Sequence, residues 1–382
     1  MFADIGMFIT AVIFVALNGM TMFAWAASQG YLMKPTAFAL LFGGFANLLA
    51  GSITPVSGQS SILTVSHFMK DVNERAAALL LAVAVMIPMG IFGGVTWISN
   101  FAGPAVVLGM MSGVGLLVAG ISVDMFGQDK RTGFISIAAA LLTWWLTMGH
   151  AHQLVIVIAV SVSAASIDFC LLQKRRVEVM KASSAEGYRG MMEQSDNHKF
   201  WTKEFWQEFK MVQPKFKSLT AVKFALAFIA LNIGTNIAFG NVTASIGNTT
   251  QNMDHLTTIN ALADIPSVLF GGAPVGAIIS GTANAPWPIL AGSVMMFLCA
   301  AILLTGMFSK AIRYIPVQSI SGFLLIIGFF STFRPNLLNA LNAGYPSQTL
   351  TALAITLLSK NPFYGLAAGI AVRYFGASIG LA

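Results

Sequence analysis

Leu49-Ala50-Gly51-Ser52-Ile53-Thr54-Pro55-Val56-Ser57-Gly58 and Leu269-Phe270-Gly271-Gly272-Ala273-Pro274-Val275-Gly276-Ala277 decide the fold. Each is a short stretch broken by Pro and Gly that follows one apolar run and opens another. Lipid offers no water to unpaired backbone groups, so a membrane-spanning chain tolerates such breaks only where protein or a water-filled cavity surrounds them. Two breaks at corresponding places in two halves of a chain mark discontinuous helices around a midplane site.

The rest of the chain reads as membrane-embedded. Of 382 residues, 56% are hydrophobic and only 9% charged, and the mean hydropathy is +0.77. Long apolar runs with so few charges are spanning helices, and they lack the alternation of a membrane β-barrel. The runs fall near 7–29, 35–50, 55–69, 76–98, 103–125, 132–149 and 152–172, then near 221–246, 256–270, 274–286, 288–308, 314–333, 347–359 and 361–380. The expected organisation is a first seven-helix repeat over 1–172, an amphipathic basic linker over 173–220, and a second seven-helix repeat over 221–382. Val15-Ala16-Leu17-Asn18-Gly19 echoes Ile229-Ala230-Leu231-Asn232-Ile233-Gly234, and Pro104 echoes Pro316. An odd number of helices per repeat inverts the second copy in the membrane. The fold class is therefore all-α and membrane-spanning, a seven-plus-seven inverted repeat with two broken half-helices. A multi-pass protein of the cell membrane follows.

Charge sets further bounds. The net charge is +7, and eleven of the 21 Lys and Arg lie between Lys174 and Lys223. A cytoplasmic loop explains that cluster better than nucleic-acid binding. It would leave only Arg334 and Arg373 on the far side and put both termini outside. Phe200, Trp201, Phe205, Trp206 and Phe209 make one apolar face in the linker, as in an interfacial helix on the lipid bilayer.

A site between two broken helices needs polar groups that cost little in lipid. The first element offers Thr54, Ser57, Gln59 and Ser60, and the second offers Ser280, Thr282 and Asn284 beside Ala277. Asn232 and Asn236 lie four apart and share a helix face. Asn18 is the first-half counterpart of Asn232. Phe23, Trp25, Phe239 and Trp287 could wall such a site. Asp264 is an acid within a span, so it is the expected relay for a coupling proton or cation (H+ or Na+). Asp168 reads as a boundary residue, and the five histidines as solvent-facing. No metal set is found, nor a nucleotide-binding loop or hydrolase nucleophile pattern, so neither cofactor nor catalytic residue is expected and the chain is not read as an enzyme. Two GxxxG stretches, Gly109–Gly113 and Gly365–Gly369, are read as helix packing.

From Asn260 to Arg334 the chain resembles the nucleobase–cation symporter-2 group, the xanthine/uracil permeases, especially the purine-permease branch. The resemblance rests on Asn260-Ala261-Leu262-Ala263-Asp264 with Leu269-Phe270-Gly271-Gly272, and on the run from Lys310 to Gly322. Thr54-Pro55-Val56-Ser57-Gly58-Gln59-Ser60 is a weaker echo. The resemblance implies a core domain moving against a gate domain, a purine or related nucleobase as small-molecule substrate, proton- or cation-coupled symport, a homodimer formed through the gate, and cytoplasmic termini. It also implies acids at two places that here hold Leu231 or Asn232, and Ser280. Their replacement raises the alternative of a small-anion carrier of sulfate, bicarbonate or carboxylate type on the same fold. A non-transport intramembrane enzyme or sensor is a third reading, disfavoured by the scarcity of clustered acids and histidines in the spans.

Overall fold

The two broken stretches meet. In the computed structural model, Val56–Gly58 (β1) and Val275–Ala277 (β2) pair antiparallel, with Val56 opposite Ala277, Ser57 opposite Gly276 and Gly58 opposite Val275. All six residues are buried. A strand pair at this depth satisfies the backbone groups that each break exposes, which lipid cannot do. The structure describes residues 2–58, 69, 71–171, 209–307, 316–342 and 344–376, without the side chains of Thr21, Ala24, Trp25, Ser28 and Val317.

Around the pair, the order of elements repeats. The first half contains α1 (Phe2–Ser28), α2 (Met33–Ala50), β1, α3 (Val72–Ile91), the short α4 (Gly94–Ala102), α5 (Pro104–Gln128), α6 (Lys130–Leu146) and α7 (Gln153–Leu171). The second contains α8 (Leu219–Ile246), α9 (Met253–Val268), β2, a 3-10 turn (Gly281–Asn284) and α10 (Pro288–Leu304). It continues with α11 (Ser321–Leu325), a π-helical segment (Ile326–Phe333), α12 (Arg334–Asn342), α13 (Pro346–Ser359) and α14 (Pro362–Phe375). Among the described residues, seven segments are long and apolar enough to cross a membrane. The fold is thus the seven-plus-seven inverted repeat. After β2 the helical part shrinks to one four-residue turn. Pro286 and Pro288 follow at once, and neither can donate a helical N–H.

Two bodies form. α1, α2, α3, α8, α9 and α10 pack around the strands as a core domain, while α5, α6, α7, α11 to α12, α13 and α14 pack together as a gate domain. Glycines set how close the gate helices come. A Cβ on Gly109 of α5 would lie 2.4 Å from the Thr349 carbonyl oxygen, and one on Gly113 would lie 2.8 Å from that of Leu353. From the other side, a Cβ on Gly365 of α14 would lie 2.6 Å from the Ala352 oxygen. The two GxxxG stretches therefore grip α13 between them, where Thr349, Ala352 and Thr356 are fully buried. Close backbone approach of this kind replaces the hydrophobic drive that is missing in lipid.

Polar ties close the ends of the core domain. Asp71 caps α3 by accepting from the Asn73 N–H at 2.8 Å, and Lys215 of the linker donates to its other oxygen. Ser218 caps α8 and donates to Glu74 at 2.8 Å. Phe209 packs its ring edge-on against Phe38 and Phe270, which anchors the end of the linker to the core; Phe200, Trp201, Phe205 and Trp206 lie outside the described residues. The Lys215 hydrogen bond, helped by the Asn73 N–H, holds the Asp71 carboxyl below the usual carboxylate range. Stability from a lowered carboxyl is present above its unfolded value and lost as pH falls through the folded one. Asp71→Asn is therefore expected to lower Tm slightly at neutral pH. The difference from wild type should close as pH falls through the carboxylate range. A gap that persists in acid would assign the effect to something other than ionised Asp71.

Candidate functional site

The strand crossing is held from both halves. Gln251, in the loop before α9, accepts from the Ser52 hydroxyl at 3.1 Å and from the Ile53 and Thr54 N–H groups at 3.1 and 3.3 Å. Thr36 of α2 accepts from the Ala273 N–H at 2.7 Å, and Ser267 donates to the Ala273 carbonyl at 2.7 Å. A Cβ on Gly272 would lie 2.7 Å from the Thr36 nitrogen, so only glycine lets α2 come this near. Each half thus positions the other's broken segment. The one signal of Gln251 in the sequence is the longer loop over 248–255 that breaks the likeness of the halves.

Between the crossing and the gate lies a cavity of about 150 Å³. The core domain lines it with Asn18 and Gly19 of α1, Ser57 and Gly58 of β1, Ile278 to Ile279 after β2, Gly281, and Phe239 of α8. The gate lines it with Val118, Ile121 and Met125 of α5 and with Ile320, Phe323, Leu324 and Ile327. The walls are mostly apolar. Ser57 is buried, and its hydroxyl has no hydrogen-bond partner among the described residues. A buried hydroxyl left unpaired costs about 1–3 kcal/mol, so this one is a poised donor and acceptor at the cavity wall. The gate wall runs into the π-helical segment, where Thr332 donates back to the Ile327 carbonyl at 2.7 Å. π-turns inside helices are frequent at functional sites.

The expected site residues separate into groups. Asn18 and Ser57 line this cavity. Phe23 is fully buried behind it, its ring where a Cβ on Gly58 would go, 3.2 Å away. Thr54 is fully buried with an unpartnered hydroxyl, in the turn that leads into β1. Ala277 is spent on pairing with Val56. Ser280 exchanges a hydrogen bond with the Thr282 hydroxyl at 2.7 Å and caps the 3-10 turn. Gln59 and Ser60 lie outside the described residues, as does the Trp25 side chain. Phe239 lines the cavity, whereas Trp287 is half exposed and packs against Phe8.

Asn232, Asn236 and Asp264 sit elsewhere, inside the core domain. Asn232 donates to the Phe228 carbonyl one turn back at 3.0 Å. Asn236 donates to Thr257 at 2.9 Å and accepts from Asn260 at 2.6 Å. Asp264 accepts from the Val275 N–H of β2 at 2.7 Å. The counterparts Asn18 and Asn232 therefore serve different places, because α1 turns its amide towards the gate and α8 turns its own towards α3 and α9.

Asn284 ties core to gate. Its side chain accepts from the Leu154 N–H at 3.1 Å and donates to the Ala151 carbonyl at 2.8 Å, and His152 Nδ1 lies 2.6 Å from its backbone oxygen. His152 is thus engaged rather than solvent-facing. Asp168 forms a two-pronged ion pair with Arg131 of α6, at 3.1 and 2.7 Å, within the gate. Asn284→Ala removes two core–gate hydrogen bonds at about 1 kcal/mol each, enough to shift a two-state balance by about 30-fold. In a background without Cys170 and Cys299, a cysteine at Ile279 should react faster with a thiol reagent when Asn284→Ala is added. An unchanged rate would show that this contact does not hold the two bodies together.

Paired strands between a core and a gate, in an inverted repeat of spanning helices, define a multi-pass membrane protein. The transmembrane domain of a cyanobacterium bicarbonate transporter, BicA, has the same fold, with a TM-score of 0.53 over 97% of this chain and 98% of that one at 13% identity. SLC26A9 is also similar, with a TM-score of 0.52 at 12% identity, over 97% of this chain and 66% of that one. Comparison with family models finds no match, and neither does comparison with curated protein sequences.

Proposed function

We propose that the chain is a secondary transporter that carries a small anion across the cell membrane, bound in the cavity between the strand crossing and the gate. One observation carries the choice of cargo: the site offers donors and no acid. From Leu49 to Met69 and from Leu269 to Leu304 there is no Asp or Glu, while the unpartnered Ser57 hydroxyl and Asn18 line the cavity. An anion in a mostly apolar cavity needs hydrogen-bond donors and no nearby carboxylate. Ser280, where the permease resemblance implies an acid, is satisfied by Thr282. The likeness in fold to a bicarbonate transporter supports the same reading. Transport would follow as the core slides against the gate and the cavity opens to alternate sides.

A nucleobase is the second reading. Phe239 and Phe323 bring rings to the same cavity as Asn18 and Ser57, a setting that a planar, polar-edged base would fit. A thermal-shift screen of purified protein against bicarbonate, chloride, sulfate, hypoxanthine and uracil separates the two. Saturable stabilisation by an anion, with none by the bases, is the expected result. Stabilisation by a base alone would replace the anion reading with the nucleobase one.

A further inference from the structure

The core domain contains a second polar pocket, which the cargo cavity does not use. It has a volume of about 10 Å³ and is lined by Leu79, Ala82, Val83 and Met86 of α3, Asn232 of α8, and Asn260, Ala261 and Asp264 of α9. That is room for about one water-sized particle. Asn260 and Asp264 are four apart on α9 and share its face. Both are more than nine-tenths buried. Asn260 Nδ2 is committed to Asn236, whose own amide is held by Thr257, and Asn260 Oδ1 has no partner among the described residues. Asp264 has the Val275 N–H on one oxygen.

No Lys, Arg or His lines the pocket among the described residues. The charged groups on the helices around it are engaged or remote in sequence from its lining. Arg75 at the start of α3 donates to the Gln29 carbonyl and lies over the Tyr31 ring, Glu74 accepts from Ser218, and Asp254 accepts from the Val95 and Thr96 N–H groups. Lys223 lies in the first turns of α8, and Lys34 begins α2. A carboxylate with no positive partner at this depth is expensive, and an orphan amide oxygen beside it adds to the cost.

We propose that Asp264 and Asn260, with Asn232, form a sodium-ion site inside the core domain. One ion meets both deficits: it neutralises the single carboxylate and coordinates the unpartnered amide oxygen. A hard cation takes oxygen ligands, and one carboxylate balances a single charge where a divalent ion would ask for more. The pocket has room for about one small ion, and Na+ is the monovalent cation tested for it. The site also touches the transport machinery. Asp264 holds the Val275 N–H, and Val275 pairs with Gly58 at the cargo cavity, so ion occupancy acts directly on the strand crossing.

The test is a melting-temperature titration of the whole purified protein with NaCl, against KCl and N-methyl-D-glucamine chloride at constant chloride and ionic strength. It reads cation binding without reference to cargo, so its outcome is separate from that of the anion reading. Na+ should raise Tm saturably by about 2–4 °C. Asn260→Ala should weaken the apparent Na+ affinity by about tenfold, the worth of one ligand to a charged partner. Asp264→Asn should abolish the response. The wild-type curve and Asn260→Ala decide the matter if Asp264→Asn fails to fold. Equal melting in all three salts would overturn the proposal, leaving a buried water as the occupant. So would an equal shift with K+, or a response to pH but not to Na+, which would make Asp264 a proton carrier.

Discussion

Ser57→Ala is expected to weaken cargo binding by about 10- to 100-fold while leaving the melting temperature unchanged or slightly higher. The two halves of that expectation come from one atom. The Ser57 hydroxyl is buried and makes no hydrogen bond among the described residues. Removing an unpaired buried polar group takes away a desolvation cost and breaks no contact, so the fold does not suffer. A bound anion, by contrast, loses a charge-assisted hydrogen bond worth about 1.5–3 kcal/mol, which is the stated change in affinity. The cavity is mostly apolar, so little else compensates. Competition binding with the anion that stabilises wild type most gives the number. If affinity holds and stability falls, Ser57 is a structural hydroxyl and the cargo is bound elsewhere.

The second large effect is structural. Gly109→Val should leave no monodisperse protein, whereas Gly120→Val on the same helix should behave as wild type. At Gly109 the added Cβ meets the Thr349 oxygen at 2.4 Å and the Thr349 Cα at 2.9 Å. Those are backbone atoms of α13, which is held on its other side by α14, so neither helix can give way locally. Overpacking costs about 1–3 kcal/mol where side chains can adjust, and more where backbone is struck. At Gly120 nothing among the described residues lies within 4 Å of the added carbon. Size-exclusion chromatography of the two variants in detergent makes the comparison. Equal profiles would mean that the gate seam is looser than the glycine contacts imply.

Some of this was legible in the residues alone. The broken stretches at Pro55 and Pro274 are readable because Pro and Gly interrupt runs that are otherwise apolar, and their pairing follows from the need to satisfy backbone in lipid. The helix order is readable for the same reason. Side-chain direction was harder. Asn232 and Asn236 share a helix face, as their spacing requires, yet that face looks into the core domain, and no spacing rule says which neighbour a face meets. Asn284 follows the second break as closely as Ser57 sits in the first, but the Pro286–Pro288 interruption ends the turn and carries the amide to the gate. Phe323 and Leu324 cannot be picked out from the sequence, because apolar residues in an apolar helix carry no signal of their own. Gln251 lay in a loop, where hydropathy is silent about long-range hydrogen bonds.

Uptake into proteoliposomes shows whether a small anion crosses the membrane through the cavity beside Ser57. With radiolabelled bicarbonate, chloride and sulfate offered in turn, wild type should take up at least one saturably. Excess unlabelled anion should compete with that uptake, hypoxanthine and uracil should not, and Ser57→Ala should shift the half-saturating concentration upward. Uptake of labelled hypoxanthine or uracil with none of any anion would mean that the cavity carries a nucleobase and not an anion.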